Sequence, residues 1–169
     1  MTVTNFFKIL FPNSLLLELW TKVSDSVCYQ GKGNRYGIVQ FSQPGTISSI
    51  KLVHISGLIT CKKGDPNFGS SVWTCHRITQ LSTVLTDEKR NIIFPPNTTI
   101  HKYVMNVVYG DKDAFEMNSN ELLFKRPDFE VDTNTKLHIW NTNDLGGDIH
   151  DRDNDGRHCV KVLAKYKFK

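Results

Sequence analysis

The chain has 169 residues, 39% of them hydrophobic and 22% charged. That composition describes one globular domain able to bury a core of its own, and it excludes disordered and collagen-like classes. The formal charge of +4 is small and the basic residues are scattered; the densest basic run, Lys161, Lys165, Lys167 and Lys169, alternates as the solvated face of a strand does, so no nucleic-acid footprint is expected.

Residues 1 to 26 read as a leader outside the folded domain. Lys8, the apolar Ile9-Leu10-Phe11 and Leu15-Leu16-Leu17, and the small polar Ser24-Asp25-Ser26 imitate a signal peptide, whereas Pro12, Asn13 and Glu18 interrupt the apolar run. A cleaved signal, a short amphipathic helix and a disordered leader all fit this segment. The domain is expected over residues 27 to 169. No stretch approaches 18 consecutive apolar residues, so no transmembrane helix is expected.

From Tyr36 onward strands alternate with turns. Residues 36 to 42 are β-rich and end at Pro44-Gly45. Residues 48 to 61 carry Ile50, Leu52, Val53, Ile55, Leu58 and Ile59, broken by Gly57. A loop rich in Gly, Asp, Pro and Asn follows over 62 to 71. Short strands are expected at 72 to 76, 82 to 86 and 91 to 94, and a half-buried one at 101 to 109. In the last third, 121 to 125, 128 to 131 and 136 to 140 are separate strands. The run 158 to 168 alternates, with Val160, Val162, Ala164, Tyr166 and Phe168 on one side and Lys161, Lys165 and Lys167 on the other. Eight to ten short strands with regular turn signals predict an all-β fold, an antiparallel β-sandwich or jelly roll.

Cys28, Cys61, Cys75 and Cys159 form an even set without the close C-x-x-C pairs of a zinc site. Two disulfides fit better and point to an oxidising, extracellular setting. Of the three possible pairings, Cys28–Cys159 with Cys61–Cys75 is preferred. The first would tie the chain ends together, because first and last strands often lie side by side in sandwiches. The second would close the 62–71 loop. The sequon at Asn97 follows Pro95-Pro96, where a surface loop and glycosylation are expected.

The most informative segment is 143 to 156, which holds Asp144, Asp148, Asp151, Asp153 and Asp155, five of the 17 acidic residues. Carboxylates so dense repel one another unless they are solvated or neutralised by a cation. Calcium accepts six to eight oxygen ligands in flexible geometry, which alternating Asp and Asn can supply. Asn143, Asp144, Asp148, Asp151, Asp153, Asn154 and Asp155 are the candidate ligands. Asp151, Asp153, Asp155 and Gly156 open like an EF-hand loop, but Val162 stands where that loop needs its bidentate Glu, and a strand follows. A solvated acidic turn is the other reading.

Leu137-His-Ile-Trp140, Asn143-Asp144, Asp153-Asn154-Asp155-Gly156 and Cys159-Val-Lys-Val162 resemble the closing strands of secreted invertebrate β-sandwich domains. Ile59-Thr-Cys61, Trp73-Thr-Cys75 and Ile93-Phe-Pro fit the same pattern. The last third is also similar to the galactose-binding-like jelly rolls of calcium-dependent soluble lectins, in which an Asn-Asp turn and an Asp-Asn-x-Gly loop precede the last strand. This resemblance implies a calcium loop that also holds sugar, and nominates Asn143, Asp144, Asp153, Asn154 and Asp155 for both tasks. The chain departs from that pattern by the insertion Gly146 to Arg152 and by its additional aspartates.

Trp73 and Trp140 are candidate rings for stacking on a sugar, although a Trp beside Cys75 is more often core. Trp140 shares parity with His138 and Lys136, which suggests an outward or edge face. The histidines lack an H-E-x-x-H or close pair, no G-x-S-x-G occurs, and Glu121 and Glu130 make no acid–base pair. The expectation is therefore a secreted binding module rather than an enzyme, recognising carbohydrate or an extracellular matrix protein through calcium. A structural or protein-interaction domain without ligand chemistry is the alternative.

Overall fold

The computed structural model describes residues 19–60, 64, 70–74, 81–96, 100–102, 107–109, 119–146 and 154–167. Eleven strands are found among them: β1 (Leu19–Gln30), β2 (Gly37–Gln40), β3 (Gly45–Thr60), β4 (Ser70–Ser71), β5 (Thr83–Thr86), β6 (Ile92–Phe94), β7 (Ile100–Lys102), β8 (Val107–Tyr109), β9 (Glu121–Val131), β10 (Lys136–Asn141) and β11 (Asp155–Lys167). A 3-10 turn covers Thr142–Gly146. No helix among the described residues is long and apolar enough to cross a membrane.

The strands form two antiparallel sheets. The larger runs β1–β11–β3, and long β3 then pairs with β9 along its first half and with β4 at its end. The smaller runs β2–β10–β5–β6, and β7–β8 make a separate hairpin. The alternating β11 pattern is realised: His158, Val160, Val162, Ala164 and Tyr166 are buried while Arg157, Lys161 and Lys167 are exposed. Val39, Leu85, Leu137 and Ile139 face them from the smaller sheet, so the core lies between two inner faces. This is the expected all-β sandwich.

Three boundaries differ from the sequence reading. The first strand begins at Leu19, so residues 19 to 26 belong to the sheet rather than to a leader. Ser24-Asp25-Ser26, which in sequence imitates the end of a signal peptide, lies where the β1–β11 register shifts, on either side of Ser24. Such a bulge is accommodated within a continuing strand. The expected strands 121–125 and 128–131 are one strand, with Pro127 inside the register shift between Ile47 and Ser49 of β3, where a missing N–H costs no ladder bond. Where a strand is expected at 72 to 76, Ser70–Ser71 form strand and Val72 and Trp73 lie in a bend, while residues 75 and 76 lie outside the described residues.

Cys28 and Cys159 sit opposite each other in β1 and β11 and are joined by a disulfide. First and last strands are neighbours, and the bridge ties them inside the sheet. Cys61, Cys75 and the sequon Asn97 lie outside the described residues.

Candidate functional site

The acidic loop joins β10 to β11, and its described flanks lie at one end of the sandwich. A buried polar layer marks that end. Tyr29 from β1 and Thr83 from β5 bring their hydroxyls within 2.8 Å, linking the two sheets, and Tyr29 also meets His158 Nδ1 at 2.9 Å. Thr83 donates its only hydroxyl hydrogen to the Trp73 carbonyl at 3.0 Å. Thr83 must therefore accept from Tyr29, and Tyr29 must accept from His158 Nδ1–H. That leaves His158 Nε2 as an acceptor, and His54 Nδ1 donates to it at 2.9 Å. The chain of donors runs one way, from His54 through His158, Tyr29 and Thr83 to the Trp73 carbonyl. Burial, followed by the repulsion of His54, pushes the His158 imidazole down to about 3, so it stays neutral as this chain requires.

Next to this layer the smaller sheet ends. Asn141 pairs with Thr83 in the ladder, and the Thr142 amide donates to the Ser82 carbonyl at 2.8 Å. Asn141, Thr142 and Ser82 are all buried, yet the Asn141 amide, the Thr142 hydroxyl and the Ser82 hydroxyl have no hydrogen-bond partner among the described residues. Each such group costs about 1–3 kcal/mol if left so. Buried polar groups in this condition call for a solvent or ligand partner. Asn143 and Asp144 follow in the 3-10 turn, and both are buried.

The other flank of the loop is Asn154, also buried, and then Asp155, whose carboxylate accepts from the Gly156 amide at 2.8 Å. Gly156 has φ +96, and a Cβ there would lie 2.2 Å from the Leu58 carbonyl oxygen. The glycine is required by the close approach of β3 as well as by its positive φ. Its amide-bearing neighbour Gly31 donates to the Gly156 carbonyl at 3.0 Å, which fixes the start of β11 against the end of β1.

Of the seven residues expected to hold a cation, Asn143, Asp144, Asn154 and Asp155 flank the loop, and the first three are buried polar groups rather than solvated ones. Asp148, Asp151 and Asp153 lie outside the described residues. Among the described residues no group of three or more His, Cys, Asp or Glu gathers as a metal cluster. The oxygen donors of the flanks, side-chain amides and hydroxyls beside the two carboxylates Asp144 and Asp155, suit a hard cation such as calcium better than zinc.

The tryptophans do not form the expected stacking platform. Trp73 is fully buried, its indole N–H bonded to the Ser119 carbonyl at 2.8 Å and its ring set edge-on against His158. Trp140 does share the outward face of β10 with His138, but it is buried as well. Tyr36 lies 4.6 Å from it, the Arg90 guanidinium 5.0 Å above it, and its N–H reaches Thr86 at 2.9 Å. Parity located the face and missed the cover. Tyr36, 39% exposed and stacked on His138 at 4.1 Å, is the ring that reaches solvent there.

The His54–His158–Tyr29 chain escaped sequence reasoning because its members are far apart in the chain. The legible signal was His158 alone, sharing parity with Val160, Val162 and Ala164 and therefore facing inward.

No protein-family model matches the chain, and a search of curated proteins finds no match. Among solved structures, the chain is similar to AJLec from the sea anemone Anthopleura japonica, with a TM-score of 0.77 and 27% identity. The likeness covers 88% of this chain and 97% of that one. The architecture is thus that of a lectin-like invertebrate β-sandwich, which points to a binding protein rather than an enzyme. Together with the Cys28–Cys159 disulfide it is consistent with an extracellular protein.

Proposed function

We propose that this chain is a secreted carbohydrate-binding module whose sugar site lies at the loop end of the sandwich and works through calcium. The observation that carries this reading is the concentration of buried oxygen donors where β10 passes into the acidic loop: Asn141, Thr142 and Ser82 beside Asn143 and Asp144, with Asn154 on the returning flank. Three of these, Ser82, Asn141 and Thr142, are buried without a partner among the described residues and call for a ligand, an ion or bound solvent. The likeness to a lectin-named protein over nearly its whole length favours sugar as that ligand.

In this reading Asn143, Asp144, Asn154 and Asp155, with Asp148, Asp151 and Asp153 between them, supply oxygens to calcium. Calcium held there would offer hard-cation coordination to sugar hydroxyls. The chain's own part is to fix the ligands. The 3-10 turn holds Asn143 and Asp144, and the Gly31–Gly156 bond holds the opposite flank. Recognition of a matrix glycan would follow from the same chemistry.

A glycan microarray carrying galactose-, mannose- and N-acetylglucosamine-terminated glycans tests the reading. Binding in millimolar calcium that chelator abolishes supports it. Binding unaffected by chelator would remove calcium from the account, and binding to no glycan would leave an interaction domain without sugar chemistry.

A further inference from the structure

The outward face of the larger sheet is a second surface, separate from the loop end. Antiparallel partners share a face, so the register assigns it. One row crosses four strands as Lys22, Leu163, Lys51 and Leu123, and the next as Trp20, Lys165, Ser49 and Lys125. Lys161, paired with Val53, begins a third row that ends on Glu121. Lysine thus alternates with apolar or small residues in both directions. Six lysines stand on this face, Lys22, Lys51, Lys125, Lys161, Lys165 and, opposite Thr46, Lys167, against four carboxylates: Asp25, Glu121 and Asp128, which pair with Lys22, Lys51 and Lys167, and Glu130, which accepts from the Thr46 hydroxyl. Lys125 and Lys161 are exposed and form no ion pair among the described residues.

Leu163 and Val53 on this face are half-buried, and other apolar members are exposed. Leu123 is 44% and Leu58 42% accessible, two of the six large hydrophobic side chains that stand out among the described residues. Trp20 is half-buried, with the Lys51 ammonium 4.9 Å from its ring centre. A solvated strand face needs lysines but not these leucines. Cations and apolar groups interleaved on one broad sheet match a surface that is anionic and oily at once. A sulfated polysaccharide would use the lysines and gain nothing from Leu123 or Leu58.

We propose that this face docks the protein on anionic phospholipid membranes. The lysines sit among the headgroups, and Trp20, Leu123 and Leu58 enter the interface without crossing it. Lysines of one row that are two strands apart are about 10 Å apart at the backbone, so several phosphates or carboxylates are met together. The attraction is salt-dependent, because the Debye length is about 10 Å at 0.1 M.

Vesicle co-sedimentation tests this on the full chain, in chelator so that calcium cannot bridge protein and lipid. Phosphatidylcholine vesicles with and without 30% phosphatidylserine serve as probes, at roughly 0.05 M and 0.5 M salt. Binding to the anionic vesicles alone, lost at high salt, is expected. Lys125→Gln with Lys161→Gln should weaken it about 25-fold, five-fold for each lysine removed. Leu123→Ser should weaken it further while leaving the melting temperature unchanged, since that side chain is exposed. Failure to bind anionic vesicles, equal binding by the lysine variant, or retention on heparin without vesicle binding would each overturn the proposal. The last outcome would assign the lysines to sulfated glycans instead.

Discussion

The Tyr29 hydroxyl sits between Thr83 Oγ1 at 2.8 Å and His158 Nδ1 at 2.9 Å, and through this one group the first strand grips both the last strand of its own sheet and the facing sheet. Cys28 and Cys159, one residue away on each strand, form the disulfide on the opposite face. The loop end of the sandwich is therefore fixed from inside by a directed hydrogen-bond chain and from outside by a covalent bond.

Removing the hydroxyl alone tests that chain. Tyr29→Phe keeps the ring but leaves the buried His158 Nδ1–H without its acceptor, and the expected cost is about 1–3 kcal/mol. Urea unfolding of the variant beside the wild type measures it. An unchanged midpoint would contradict the chain as drawn.

His158 also sets a pH dependence. Its folded value, about 3, lies below the ordinary histidine value of 6.5. Between these the unfolded state binds the extra proton, so the stabilisation is complete above pH 6.5 and drains away as pH falls toward 3. The limiting slope is about 1.4 kcal/mol per pH unit. His138, lowered by burial although Glu88 and Asp87 oppose the shift, acts in the same direction. Asp87, Asp128 and Asp132 are held below the usual carboxylate range, so their losses come at lower pH. Unfolding measured at pH 7.5, 6 and 5 should show falling stability, flattened in His158→Gln. A profile shared by wild type and variant would remove His158 as the cause.

Leu19 to Ser24 pair with Val162 to Tyr166 of β11. A chain beginning at Val27 uncovers that edge, and its melting temperature should fall by more than about 10 °C, or about 3 kcal/mol for a domain of this size. A fall of a degree or two would mean that this part of β1 adds nothing.

The Cys28–Cys159 bridge closes a loop with a sequence separation of 131 residues. Peptide mapping without reduction should recover that linkage, together with the Cys61–Cys75 pair expected from sequence. Reduction should lower stability by about 3–5 kcal/mol. A Cys28–Cys61 linkage would contradict the β1–β11 pairing itself.

Much of the sandwich was legible in sequence because inward and outward residues alternate: β11 could be read residue by residue from His158, and β10 through the shared parity of Lys136, His138 and Trp140. The start of β1 was not legible. A bulge at Ser24 breaks its alternation, and the small polar residues there resemble the end of a signal peptide. At the candidate site, the crowding of Asp and Asn was visible, but a string of residues carries no burial. It could not tell that Asn143 and Asp144 are packed inside or that Ser82 and Asn141 join them across the β5–β10 pair. Trp140 failed for a related reason. Its parity was informative, while Tyr36 and Arg90, which cover it, come from distant segments.

The central claim is that the loop end holds calcium. The most direct measurement is a thermal melt of the wild type and Asp144→Asn in calcium, in magnesium and in chelator. Affinity of the order of 0.1–1 mM is expected, as in other extracellular modules. At ten times that dissociation constant the stabilisation is about 1.4 kcal/mol, a rise of roughly 3–6 °C. Magnesium should do much less, because it demands tight octahedral geometry, and the variant should lose most of the calcium response. Identical melting temperatures in calcium and chelator would contradict the claim and leave the acidic loop a solvated turn.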